Sequence, residues 1–174
     1  PTEIAALQKA IDEQARIVVE KATAAEATVA TAESLTGGLI AAMLTSVPGS
    51  SASVRGGIVS YVNEVKAELL GVSEDVLARQ GAVDELVALQ MARGALRELG
   101  SDVSVAVTGI AGPTGAEPGK PVGTVYLAGA DTRTNTGYLM RLTLGGYQDR
   151  AIIRTRAALY ALDMLRRMAL GLDV

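Results

Sequence analysis

The sequence predicts an α/β fold, a three-layer α/β/α sandwich on a mixed, mostly parallel five-stranded sheet, in a single domain over 1–174. Three observations predict it. Short runs rich in Val, Ile and Ala alternate with amphipathic helical stretches over the first two thirds of the chain, the pattern of parallel strands joined by crossover helices. The last two apolar runs are joined by a short polar turn, which suits an antiparallel hairpin. With 174 residues, 49% of them apolar, the chain is long enough to bury one core.

The elements follow in order. Residues 3–22 place Ile4, Leu7, Ile11, Val18 and Val19 on one helical face, with Glu3, Lys9, Asp12 and Arg16 elsewhere. Residues 27–33 alternate small and apolar groups and read as a buried strand. Gly38 to Thr45 reads as a helix stopped before Pro48-Gly49. "GGIVSYV", 56–62, reads as the second strand, and "NEVKAELLG", 63–71, as a short helix capped by Asn63 and ended by Gly71. Ser73 begins a helical turn over 73–79. Residues 84–99 carry Val87, Met91, Ala95 and Leu99 in one i+4 row before Gly100. "DVSVAVTG", 102–109, is the third strand, followed by a Gly- and Pro-rich loop through Pro121. Residues 122–130 and 136–144 form the hairpin, and 148–169 a closing helix with Ile153, Ala157, Tyr160, Met164 and Met168 expected inward.

Composition narrows the chemistry. There is no Cys and no His, so a Ser–His–Asp triad, a Cys nucleophile and the usual Cys/His zinc sites are excluded within the chain. Hydrolytic chemistry must use Ser, Thr or Tyr with Lys, or carboxylates, or a partner chain. No acidic cluster suggests a metal. A net charge of −3, mixed signs and five Tyr as the only aromatics argue against a nucleic-acid partner. No apolar run reaches a membrane span, and no disulfide framework is possible, so a cytoplasmic location without membrane association is expected.

Four stretches stand out. "TAESLTGG", 31–38, lies where a strand's carboxyl end meets a helix, the usual ligand position in an open α/β sheet, although a plain βα turn reads as well. "SYVNEVK" sets Tyr61 and Lys66 past the second strand, on the rim of Ser34 if the strands are parallel neighbours. Without His, Lys66 is a leading candidate base; against that stands a capped helix with a solvated lysine. An ordinary lysine is neutral in about one molecule in 2,500 at pH 7, so a base poised near 7 needs a shift of about three units, roughly 4 kcal/mol. "VTGIAGPTGAEPGKPVG", 107–123, is long for a plain connection. Arg150 and Arg154, four apart at the start of the closing helix, oppose its dipole unless an anion or a surface acid such as Asp149 lies beside them.

Seven stretches, in order, carry a family resemblance: "TAESLTGG", "PGSSAS", "GGIVSYVNEVKAELLGV", "GAV" with a following acid, "TGIAGPTG", "KPVGTVYLA" and "DRAIIR". They span residues 31–154 and resemble the C-terminal domain of the CinA (competence/damage-inducible) family, also called the PncC type of nicotinamide mononucleotide deamidase. The resemblance implies hydrolysis of the carboxamide of nicotinamide mononucleotide to nicotinate mononucleotide and ammonia by a Ser/Lys dyad, with no metal and no cofactor. Ser34 would be the nucleophile and Lys66 its base, with Tyr61 assisting and Ser51 a second choice of nucleophile. Arg150 would hold the substrate near its phosphate. Glu33, Thr36, Gly37 and Gly38 would line the substrate, the last three offering N–H donors, with Gly109, Ile110, Ala111 and Gly112 as the opposite wall.

Leu35, Asp84, Thr114, Ala116 and Gln148 depart from the family's frequent Cys, Ser, Asp, Gly and Gly. A silent nucleotide-binding module, or an amidase for another small amide, is the alternative. A homodimer or other homo-oligomer is expected. Longer relatives carry an N-terminal domain resembling molybdopterin-binding folds, and its activity is not expected of these residues.

Overall fold

The computed structural model describes residues 2–145 and 149–174. Its elements are α1 (Glu3–Ala24), β1 (Val29–Glu33), α2 (Leu39–Thr45), a 3₁₀ turn at Ser50–Ala52, β2 (Val54–Val59), α3 (Asn63–Leu70), α4 (Glu74–Gln80), α5 (Glu85–Leu99), β3 (Val103–Gly109), β4 (Thr124–Asp131), β5 (Thr136–Thr143) and α6 (Arg150–Leu170). The sheet runs in the order β2-β1-β3-β4-β5. β1 pairs parallel with β2 and β3, while β4 is antiparallel to both β3 and β5. Four of the five strands therefore point one way, and the mixed five-stranded α/β sandwich is as expected.

Alternation along the strands divides the core. Val29, Val103, Val105, Val107, Val125 and Leu127 face α1, α2 and α6, while Ala30, Ala32, Ala106, Ala128 and Ala130 face α3, α4 and α5. Branched residues fill the wide layer and alanines let α5 lie close on the other. Gly94 of α5 meets α3 tightly: a Cβ there would fall 2.2 Å from the Leu70 carbonyl oxygen.

The helices after β1 and β2 thus leave toward opposite faces of the sheet. This opens a crevice beyond their carboxyl ends, the place where open α/β sheets take ligands. Among the described residues no helix is long and apolar enough to cross a membrane.

Several local expectations are corrected. β2 ends at Val59, not Val62: the Ser60 N–H still donates to the Glu33 carbonyl of β1 at 2.8 Å, and Tyr61 and Val62 then lead out of the ladder into α3. Val62, not Asn63, occupies the N-cap position of α3, with no side-chain cap. Ser73 does cap α4, accepting from the Val76 N–H. Tyr160, expected inward, is 44% exposed on α6, whereas Ile153, Ala157, Met164 and Met168 are buried. Position 148, the expected start of the closing helix, lies outside the described residues, and the described helix begins at Arg150.

Candidate active site

Lys66 is fully buried, and its ammonium reaches three oxygens. Nζ lies 2.9 Å from Ser34 Oγ, 2.7 Å from the Ser60 carbonyl and 3.2 Å from the Tyr61 carbonyl. Sequence explains the convergence. Ser34 is the first residue past β1, and the early end of β2 turns the Ser60 and Tyr61 carbonyls toward the first turns of α3. Among the described residues no carboxylate pairs with Lys66. Burial therefore penalises its charged form and lowers its pKa from 10.5 to about 8. In the neutral form the two carbonyls take the two N–H bonds, and the nitrogen lone pair faces the hydroxyl of Ser34. A buried hydroxyl against an amine of lowered pKa is the arrangement of an activated nucleophile and its base.

Glu33, expected to line the substrate, is held by protein partners. Its buried carboxylate accepts from Thr36 Oγ1 at 2.7 Å and Thr31 Oγ1 at 3.2 Å, and from the N–H groups of Ile40 and Ala41 at 2.9 Å each. Both oxygens are occupied, and the negative charge sits at the N-terminus of α2, where the dipole favours it. The helix needs this cap because Gly38, at φ +101°, occupies the N-cap position without a side chain.

The loop between them is folded on itself. The Gly37 N–H donates to the Ser34 carbonyl at 3.0 Å, so Gly37 is not a free donor. Among the described residues no acceptor meets the N–H of Leu35 or Thr36. The carbonyls of Leu35 and Thr36 accept from Arg154 Nε at 2.9 Å and Nη2 at 3.1 Å. Arg154 is thereby separated from Arg150, its expected partner in binding an anion. Arg150 stays at the crevice mouth, donating to the Gly112 carbonyl at 2.8 Å and to Tyr61 Oη at 3.1 Å.

The crevice encloses about 270 Å³ and is lined by Ser34, Leu35, Tyr61, Lys66, Ala82, Val83, Thr108, Gly109, Ala111 and Arg150. The structure brings together Ser34, Lys66, Tyr61, Arg150, Gly109 and Ala111. Ile110 is not among the lining residues, and its N–H and carbonyl pair with Thr124 and Gly123. Gly112 meets the site through its carbonyl alone. Ser51 is set apart: it is exposed at the amino end of β2, whose six residues put about 20 Å of strand between it and the crevice.

Sequence reasoning missed Thr108, Ala82 and Val83. The "GAV" stretch was the only signal for the last two. Thr108 donates to the Ala82 carbonyl at 2.8 Å, tying the third strand to the turn before α5.

Fold and site define an α/β sandwich with a buried Ser/Lys pair at the carboxyl ends of its parallel strands. The chain belongs to the CinA family: the model of the CinA C-terminal domain matches residues 11–169. A CinA-like protein of Geobacter metallireducens is 52% identical over 146 residues, covering 83% of this chain and 34% of that protein. The chain spans about a third of the length of the curated relatives it matches, among them a CinA-like protein of Kosmotoga olearia at 48% identity, of which it covers 34%. Among solved structures, the competence/damage-inducible protein CihA from Agrobacterium tumefaciens superposes with a TM-score of 0.88 at 44% identity, covering 93% of this chain and 96% of that one. A CinA superfamily protein from Escherichia coli gives 0.85 at 31% identity, covering 92% and 90%.

Proposed function

We propose that the protein is an amidohydrolase that cleaves the carboxamide of nicotinamide mononucleotide through Ser34 and Lys66. The observation that carries this reading is the 2.9 Å contact between a fully buried, carboxylate-free lysine amine and a serine hydroxyl at the crevice floor. Ser34 Oγ attacks the carboxamide carbon while its proton passes to Lys66 Nζ. The oxyanion of the tetrahedral intermediate is met by the N–H groups of Leu35 and Thr36. Lys66 returns the proton to the departing nitrogen, the C–N bond breaks, and ammonia leaves an ester on Ser34. Water, deprotonated by Lys66, then hydrolyses the ester to the carboxylate and restores the hydroxyl.

The crevice has room for the pyridine ring and its amide, with ribose and phosphate across the mouth. There Arg150, which among the described residues donates to Gly112 and Tyr61 through two of its five N–H groups, suits a phosphate. Tyr61 orients that guanidinium.

The test is ammonia release from nicotinamide mononucleotide by purified protein. Wild type is expected to turn over, and Ser34→Ala and Lys66→Ala to lose at least about 10³-fold in kcat, while Ser51→Ala stays near wild type. An inert wild type, or an active Lys66→Ala, defeats the proposal.

A further inference from the structure

Arg154 lies on α6, one turn beyond Arg150, yet both its contacts are to the backbone just after Ser34. A peptide unit is planar with its C=O and N–H opposed. Holding the Leu35 carbonyl therefore aims the Thr36 N–H away from α6, and holding the Thr36 carbonyl aims the Gly37 N–H at the Ser34 carbonyl, which it meets at 3.0 Å. That last bond fixes the Ser34 carbonyl and so directs the Leu35 N–H the other way. Arg154 thus bears on three consecutive peptide planes, with the Thr36 carbonyl also accepting from the Leu39 N–H at 3.2 Å. From the other side Glu33 grips the same loop through Thr36 Oγ1 and the start of α2. Gly37 leaves room between them: a Cβ there would sit 3.3 Å from Arg154 Nη2.

We infer that Arg154 is a positioning residue that orients the Leu35 and Thr36 N–H groups as the oxyanion-binding pair, and is not a ligand of the substrate's phosphate. The inference rests on the amidohydrolase reading. A planar fork with two donors on one side matches two successive carbonyls, whereas a lysine, a single point charge, does not hold both planes.

Kinetics of Arg154→Gln and Arg154→Lys on nicotinamide mononucleotide test it. Loss of one oxyanion donor typically lowers kcat by about 10²–10³-fold. Arg154→Gln is expected to fall in that range with KM within about threefold of wild type, and Arg154→Lys to fall by about tenfold or more. The apparent pKa of the rate profile is expected to stay where wild type has it, because Lys66 is untouched. Methylguanidinium added to Arg154→Ala is expected to restore part of kcat, an effect that an unfolded variant cannot give. An unchanged kcat, or a raised KM with kcat intact, overturns the inference; the second result makes Arg154 a substrate ligand.

A fluorophosphonate probe of Ser34 separates this inference from the functional reading on which it rests. If wild type is inert toward the nucleotide but is phosphonylated, the substrate assignment has failed, and slower labelling of Arg154→Gln still supports positioning. Equal labelling of the two proteins overturns it, and no labelling of wild type overturns both readings.

Discussion

In the amidohydrolase reading, Lys66 is the residue on which the chemistry turns. At a pKa of about 8, about one molecule in ten carries a neutral amine at pH 7, some hundreds of times the share of an ordinary lysine. The shift falls short of the three units that a base poised at 7 would need, so the rate is expected to climb through neutrality. In the amidase reading, kcat/KM rises with pH with an apparent pKa near 8 and levels above it; a profile flat from pH 6 to 9 would remove Lys66 as the base.

Burial of this amine also bears on stability. Its folded pKa is below the unfolded 10.5, so the folded state holds the proton more weakly. The penalty is present in full below pH 8 and is relieved as pH rises toward 10.5. The penalty is on the order of 3 kcal/mol. Lys66→Met is therefore expected to gain stability relative to wild type at pH 7, and that advantage to shrink by up to about 3 kcal/mol by pH 10.5, as read by urea unfolding of both proteins at each pH. Neither the burial nor the serine contact was legible at this residue alone. Composition marked a lysine as a leading candidate base only by removing every histidine; without that count a capped helix with a solvated lysine was the favoured account of "NEVK".

Elements decide how firmly the site is held. α2 begins on glycine and would leave its first N–H groups bare without the carboxylate of Glu33, reaching back from the end of β1. Glu33→Gln puts an amide N–H against a donor and is expected to cost about 1–3 kcal/mol in chemical denaturation; in the amidohydrolase reading kcat falls in parallel, because the loop after Ser34 is tied to the same carboxylate. The sequence displayed this carboxylate next to Ser34 but not its partners, which lie up to eight residues away on the next helix.

α3 is seated against α5 through Gly94, where no Cβ fits beside the Leu70 carbonyl. Gly94→Ala is expected to destabilise by about 1–3 kcal/mol and to reduce activity, since α3 can retreat from α5 only by moving Lys66. Unchanged denaturation midpoint and turnover in this variant would show that the two helices adjust independently. The ends of elements were the least legible features. β2 stops at Val59, and the Ser60 and Tyr61 carbonyls just beyond it are the ones that bond Lys66.

At the scale of the molecule, one topological fact locates the site. β1 lies between β2 and β3 with its following helix on one face, while the helix after β2 takes the other. Ser34 and Lys66, 32 residues apart in the chain, meet at the crevice this creates. The same topology sends Ser51, the second choice of nucleophile, to the far end of β2. α6 closes the arrangement by carrying two arginines, four residues apart, to different places, the crevice mouth and the loop after Ser34.

The sequence by itself determined the layers, the strand and helix order, the family and the short menu of chemistries, because those follow from periodicity, turn residues and which side chains are present or missing. Only the tertiary structure decided which serine meets the lysine, that Glu33 and Arg154 brace the loop, and how far the amine's pKa falls. Hydrogen-bond partnership and desolvation depend on distances between segments remote in the chain, and local residue pattern carries no record of those distances.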